Sequence, residues 1–487
     1  MSRPSERAIF AMGGLLRILP VVMAVSLILA ACSSAATPTP APATSTAVPP
    51  TSTRPSATAT PVLTPTAAPT VTATQAPTAT AVPRYHGVLG ANMVTDWNAV
   101  AEGAAVDNIT MALMHIAIHD ALNSIDPRYE PFFVETSVPG ASPEAAVASA
   151  AHTLLFARLP AAARPSLATA LASSLGKVAD GPAKTQGIQF GKAVGQTVFA
   201  SYNPVAPPGL PPPAPGPGVW SAPPGTTTQI PTFPPKFPAL TFTNVEQFRA
   251  PPPVALTSAE YAADFNETKT LGSVNSTVRT PEQTAIANFW QPTNFNWYFS
   301  QVARQLSVTQ QLDLWDTARL FAVFTVAAPD LSRAFLDTKN QYVRWRPQQA
   351  IREGETDGNP ATIGDPTWTA LDPSLANPDY VSGHAANCEG MSHALQTVSR
   401  VNQLDFTIKI GAVTRTYASL SAATEECLNS RVWGGSHFRK SMEAGAAQGH
   451  KVAVNVATKF FRPLLPTAPS DRRHGSPPNG PPIADLP

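Results

Sequence analysis

Charged side chains are scarce in this chain. They make up 13% of its 487 residues, about half the share in an ordinary globular protein. The 33 basic and 32 acidic residues leave a net charge of +1, so no global field draws the chain to nucleic acid or to an anionic membrane surface. Basic residues can act here only through local clusters. Long hydrophobic runs are missing too. The one extended apolar stretch, Ile18–Ala31, covers about 14 residues, short of the roughly 20 that a bilayer-spanning helix requires. Neither internal repeats nor alternating strand patterns of useful length are evident, which points to a helical protein. Cysteine is limited to Cys32, Cys388 and Cys427.

Proline, by contrast, is abundant: the 53 prolines concentrate near the N-terminus, in Pro204–Pro253 and at the C-terminus. Arg3, Arg7 and Arg17 precede the apolar run, which ends Leu29-Ala30-Ala31-Cys32. That arrangement suits a signal peptide, and Leu-Ala-Ala-Cys resembles the bacterial lipobox. The expectation is a leader over residues 1–32 with lipid attached to Cys32, anchoring the protein outside the cytoplasm on the bacterial cell membrane. An ordinary signal peptide with an incidental cysteine is the alternative. Residues 33–84 are mostly Ala, Thr, Pro and Ser, a composition that cannot bury enough surface to offset chain entropy and so reads as a disordered tether. The tail, 464–487, reads the same way.

Between them, 85–463 reads as one folded domain. Apolar residues recur at helical spacing over Val106–Ile125, Pro143–Arg158, Arg164–Val178 and Lys184–Ser201. Further helices are expected over Ser258–Leu271, with Thr257 and Glu260 as a capping box, and over Pro281–Gln305, Gln310–Val326, Ser332–Tyr342, Gly383–Val398 and Phe438–Phe461. Val413–Asn429 leads into the last basic segment, and 354–378 is a loop. The Pro-rich insertion, 204–253, carries Trp220, Phe233, Phe237, Phe242 and Phe248, too apolar for a free linker. It is expected to be an ordered meander over the helical body, near the entrance of a site, or else a plain connecting loop. His115 and His119 lie four apart on one helix face beside Asp120. Without a third ligand they read as core histidines rather than half a metal site.

Three segments carry the chemistry. Lys339 is followed by Arg346-Pro347; Ser382-Gly383-His384 opens a helix; Ser430-Arg431 precedes His437. A helix start offers free N–H groups and a positive dipole end to an oxyanion. One lysine, two arginines and two histidines beside it would cage a tetrahedral anion.

In order and spacing the three segments resemble the K-x6-R-P, P-S-G-H and S-R-x5-H-x3-D motifs of the vanadium-dependent haloperoxidase / type 2 phosphatidic acid phosphatase superfamily. Asp379-Tyr380, Gly435-x-His437-Phe438 and His119-Asp120-Ala121-Leu122-Asn123 resemble its soluble bacterial haloperoxidase-like branch. Two positions depart from the motifs: Val381 stands where proline is usual, and Ser441 where the motif aspartate is expected. The resemblance implies an all-α bundle in which Lys339, Arg346, Arg431, Ser382 and Gly383 hold vanadate, or phosphate in a phosphatase. It implies His437 as the vanadium ligand or phosphohistidine, and His384 as acid–base. The substrates would be hydrogen peroxide and halide, or a phosphate ester. A non-catalytic oxyanion-binding lipoprotein is the third possibility, because Ser441 cannot hold the His437 ring as a carboxylate would. Asn377, seven residues before His384, occupies a position that is aromatic or His in haloperoxidases, so halide choice does not carry over. Cys388 and Cys427, once Cys32 is lipidated, form an even pair suited to a disulfide in an exported chain. Arg344, Arg352 and Arg439 read as solvated surface charges, Trp345 and Trp433 as packing residues, and His450 as structural.

Overall fold

The computed structural model describes residues 89–202, 213–222, 239–373 and 376–464. The leader with Cys32, the tether, the tail beyond Leu464, and Phe233 and Phe237 lie outside them. Thirteen α-helices are found among the described residues: α1 (Met93–Gly103), α2 (Asn108–Ile125), α3 (Pro143–Arg158), α4 (Arg164–Gly176), α5 (Pro182–Ser201), α6 (Ala259–Leu271), α7 (Pro281–Phe289), α8 (Phe295–Thr309), α9 (Leu314–Tyr342), α10 (Pro347–Arg352), α11 (Gly383–Ser399), α12 (Leu420–Trp433) and α13 (Arg439–Lys459). A hairpin, β1 (Gln403–Ile410) and β2 (Val413–Ser419), sits between α11 and α12. Among the described residues no helix is long and apolar enough to cross a membrane.

Helix α9 is the axis of the bundle and packs against α2, α11 and α13. Every residue from Leu320 to Leu331 is buried, the pattern of a helix enclosed on all sides. The sequence predicts two helices here, separated before Ser332. The chain instead runs helically through Pro329. Losing one backbone hydrogen bond at a proline costs about 3 kcal/mol, which burial of both flanks offsets. The opposite correction applies at Pro281–Gln305. There Pro292 disfavours helical backbone at Gln291, and two helices form instead of one. Helix α6 is capped by Ser258, whose Oγ accepts from the Tyr261 N–H at 3.1 Å, not by Thr257. The absence of strands is also corrected. Leu404, Phe406, Ile408 and Ile410 alternate, Phe406 and Ile408 are buried, and Gly411 turns the hairpin at φ +58°. Gln301 and Gln305 of α8 bond the backbone of Thr407 and Lys409, satisfying the edge of β1.

The described parts of the Pro-rich insertion are ordered against the bundle. Trp220 packs with Tyr261, Phe265 and Trp345. Farther on, the buried Asp330 accepts the Leu240 N–H at 2.5 Å and both the N–H and the hydroxyl of Thr241. Arg249 makes a two-pronged bond to Asp337. The insertion therefore grips α9 through Asp330 and Asp337, two turns apart on one face of the helix.

Cys388 and Cys427 are bonded to one another, tying α11 to α12 across 39 residues of sequence. Closing a loop of that length removes about 4 kcal/mol of unfolded-chain entropy. The Cys388→Ala/Cys427→Ala protein should lose stability of that order in denaturant titration. An unchanged midpoint would show that the bridge contributes nothing.

Candidate active site

Four backbone segments meet at one buried point. The first is the end of α9, where Lys339 points at the segment 377–379: its Nζ donates to the Asp379 carbonyl at 3.0 Å and to the Pro378 carbonyl. Beyond it the chain turns at Val343, in a left-handed conformation (φ +41°) that is strained for a β-branched residue by about 1–3 kcal/mol. The insertion holds that turn. Trp220 N–H donates to the Val343 carbonyl at 2.8 Å, and Trp345 N–H donates to the Gly218 carbonyl at 2.9 Å. The turn directs Arg346 back to the segment that Lys339 touches. Arg346 Nε and Nη2 donate to the carbonyl and side-chain oxygens of Asn377, each at 2.7 Å, while Nη1 reaches Ser436 O at 2.7 Å and His437 Nε2 at 2.8 Å.

The second and third segments are Asp379 and the start of α11. Ser382 caps the helix, accepting the Ala385 N–H, and its own N–H donates to the Ser441 carbonyl at 3.0 Å. A Cβ on Gly383 would lie 3.0 Å from the Phe335 ring, a tight contact that glycine avoids at the helix start. His384 packs edge-on against Phe295 and its Nε2 is buried with no hydrogen-bond partner.

The fourth segment runs from Arg431, at the end of α12, to His437. Gly435 makes the turn at φ +73°, where a Cβ would also fall 2.5 Å from Gly272 O. Arg431 is 1% exposed and ion-paired with Asp372 at 2.5 Å, yet its Nε and Nη1 find no hydrogen-bond partner among the described residues. Buried guanidinium donors left open are costly unless something else fills them.

The carboxylate missing at position 441 is supplied from elsewhere. His437 Nδ1 donates to Asp379 Oδ1 at 2.7 Å, and Ser441 Oγ donates to the Asp379 carbonyl at 2.9 Å. Asp379 thus fixes the His437 tautomer and leaves the Nε2 lone pair facing the cations. The three motifs missed this role because Asp379 is 58 residues from His437; the Asp379-Tyr380 fragment three residues before Ser382 marked the position but not its partner. They also missed Asn377 and Asp372, which orient Arg346 and Arg431. Arg344 is not a free surface charge: it stacks 5.1 Å over Tyr261 and donates to Val254 O. Arg352 bonds the carbonyl of Trp368, and Arg439 pairs with Glu267. His115 and His119 are fully buried core residues, His115 stacked on Phe321 and His119 hydrogen-bonded by Asn123, away from this site.

Burial and mutual repulsion set the charges. Lys339 is held well below its usual value by burial and by Arg346. Burial pushes Arg346 down to about 10 and Asp379 up to about 6. His384 and His437 are also depressed, by burial first and then by the neighbouring cations. An anion entering here would raise every depressed cationic group, so binding should take up protons between the free and bound values. Sulfate keeps a fixed charge near neutral pH. Titrated calorimetrically in buffers of different ionisation enthalpy, it should show proton uptake and weaker binding as pH rises. Binding without proton exchange would contradict a depressed Lys339.

A family model described as the VCPO second helical-bundle domain matches residues 319–464, the stretch that carries all three motifs. Over that stretch the chain is similar to that helical-bundle domain. The vanadium chloroperoxidase of Curvularia inaequalis is 29% identical over 175 residues, which span 29% of this chain and 28% of that protein. In fold the chain is similar to a bacterial vanadium-dependent iodoperoxidase, with a TM-score of 0.64 at 18% identity, covering 77% of this chain and 97% of the other. It is similar too to a holo-type bacterial vanadium-dependent chloroperoxidase, with a TM-score of 0.58 at 17% identity, covering 76% and 93%. The likeness in helical fold therefore extends well beyond the matched stretch.

Proposed function

We propose that this protein is a vanadium-dependent haloperoxidase that oxidises halide with hydrogen peroxide. One observation carries the reading: a buried cage pairs the unpartnered Arg431 donors with a His437 Nε2 whose ring is locked by Asp379. The donor set fits vanadate, since three cations against two carboxylates leave a surplus positive charge for a tetrahedral oxyanion. Vanadate, when bound, supplies the electrophilic centre at which peroxide is activated toward halide. Lys339, Arg346 and Arg431 would neutralise its oxygens, with the guanidinium forks fixing orientation. Ser382 Oγ and the Gly383 N–H would add neutral donors at the helix start. His437 Nε2 would hold the vanadium. His384 Nε2, neutral and open, would accept or return a proton.

A phosphatase using the same cage is favoured by one observation, the Asp379–His437 bond, which restores the nucleophilicity that Ser441 alone would not give. His437 Nε2 would then attack phosphorus as the ester P–O bond breaks, His384 would protonate the leaving alcohol, and water would release the phosphoryl group. The argument for a non-catalytic binding protein rested on the missing carboxylate, whose place Asp379 takes. Purified protein should oxidise halide only with both peroxide and vanadate present. Phosphate-ester hydrolysis without any such oxidation would move the assignment to phosphatase. We further propose that Cys32 is lipidated and holds the enzyme on the outer face of the cell membrane, so that Cys32→Ala leaves the precursor unprocessed or releases it. An unmodified soluble mature form of the natural chain would exclude the anchor.

A further inference from the structure

We propose that Glu389, His393 and His450 form a binding site for a divalent transition-metal ion such as Zn2+, separate from the oxyanion cage. Glu389 and His393 stand four apart on α11, and so share one face of that helix. His450 comes from α13, which runs beside α11 in the same direction. Glycines bring the two helices together: a Cβ on Gly445 would fall 2.5 Å from Ser382 O, and one on Gly449 would fall 2.3 Å from Ala386 O. At this close approach one possible ligand atom from each of the three residues lies within 4.8 Å of the others. His450 Nδ1 is 3.2 Å from Glu389 Oε1, and the two imidazole rings are 4.0 Å apart.

The chemistry of the set favours a metal over a simple ion pair. Two imidazoles this close would repel if both were protonated. Burial, reinforced by His450, pushes His393 down to about 4, so at neutral pH it is an imidazole with a free lone pair. Two imidazoles and one carboxylate match a three-ligand zinc site whose remaining position would hold water. Tetrahedral bonds of about 2.0–2.1 Å require ligand atoms about 3.3 Å apart, which small side-chain rotations reach from the observed spacing. Solvent can enter, because the His450 side chain is 49% exposed and Glu389 26%. His393 lies nine residues after His384, about 13 Å along the helix axis, so the ion would not touch the cage. It would clamp α11 to α13, the helices that begin beside Ser382–His384 and His437.

The test uses purified full-length protein freed of metal with a chelator, with Zn2+ and Co2+ as probes. One equivalent of Zn2+ should bind and raise the melting temperature, and Co2+ should show the visible absorption of a low-coordinate site. His450→Asn, chosen because that side chain is half exposed and its loss should not unfold the chain, should weaken Zn2+ at least tenfold. His393→Ala/His450→Asn should abolish the Co2+ signal. Phosphate affinity at the cage should be unchanged in both, which also reports that they fold. Arg346→Ala should lose phosphate and keep Zn2+. Absence of stoichiometric Zn2+ binding, or Zn2+ binding that survives the double variant, would overturn the site without touching the oxyanion reading.

Discussion

Asp379→Asn should weaken vanadate binding by about 10–100-fold, the usual cost of losing the group that orients a metal-ligating histidine. Asparagine can offer either its oxygen or its amide to His437 Nδ1, so the tautomer that leaves Nε2 free is no longer enforced. The partner at 441 makes the test sharper. Ser441→Asp rebuilds the superfamily motif, but its carboxylate would stand beside Asp379, since Ser441 Oγ lies 3.4 Å from the same His437 Nδ1. Two buried carboxylates at one imidazole repel, so Ser441→Asp alone should also impair binding. The double variant Asp379→Asn/Ser441→Asp should recover most of the loss. Vanadate affinities measured across the four proteins decide the point. Additive losses in the double variant would show that Asp379 does not replace the motif aspartate.

Arg431→Met should be the most damaging single change in both stability and binding. It leaves Asp372, 4% exposed, without the guanidinium that faces it at 2.5 Å. Stranding one partner of a buried pair costs about 3–5 kcal/mol. It also removes the donors left open toward the cage, so phosphate and vanadate should both bind poorly. Adding Asp372→Asn neutralises the stranded charge and keeps an acceptor for the Gln291 amide, which bonds Asp372 Oδ1 at 3.2 Å. The double variant should regain most of the stability and none of the affinity. Denaturant titration with phosphate calorimetry separates the two effects. Unchanged phosphate affinity in Arg431→Met would remove Arg431 from the cage.

Much of the bundle was legible because helical periodicity is local. Pro143–Arg158 was readable to the residue, and α2, α5 and α11 nearly so. The errors fall where tertiary packing overrides a local signal. Pro329 reads as a break, but it lies in the fully buried middle of α9, where burial offsets the lost hydrogen bond. The β1–β2 hairpin was passed over because four alternating apolar residues are a short pattern. Its register is stabilised by Gln301 and Gln305, about 100 residues earlier in the chain.

The sequence by itself determined which residues are proposed for the cage, because Lys339 with Arg346, Ser382-Gly383-His384, and Arg431 with His437 are each encoded at fixed short spacing. It determined the helical class as well, since the periodic apolar positions allow little else. Only the tertiary structure decided how the histidine is held. A carboxylate must lie within hydrogen-bond reach of an imidazole, but nothing requires the two to be close in sequence. Asp379 could therefore take over from position 441 with no trace in the third motif. The same holds for the insertion that pins Val343 and for the carboxylate of Asp372 facing Arg431. Each is a contact across more than fifty residues, set by how the helices pack.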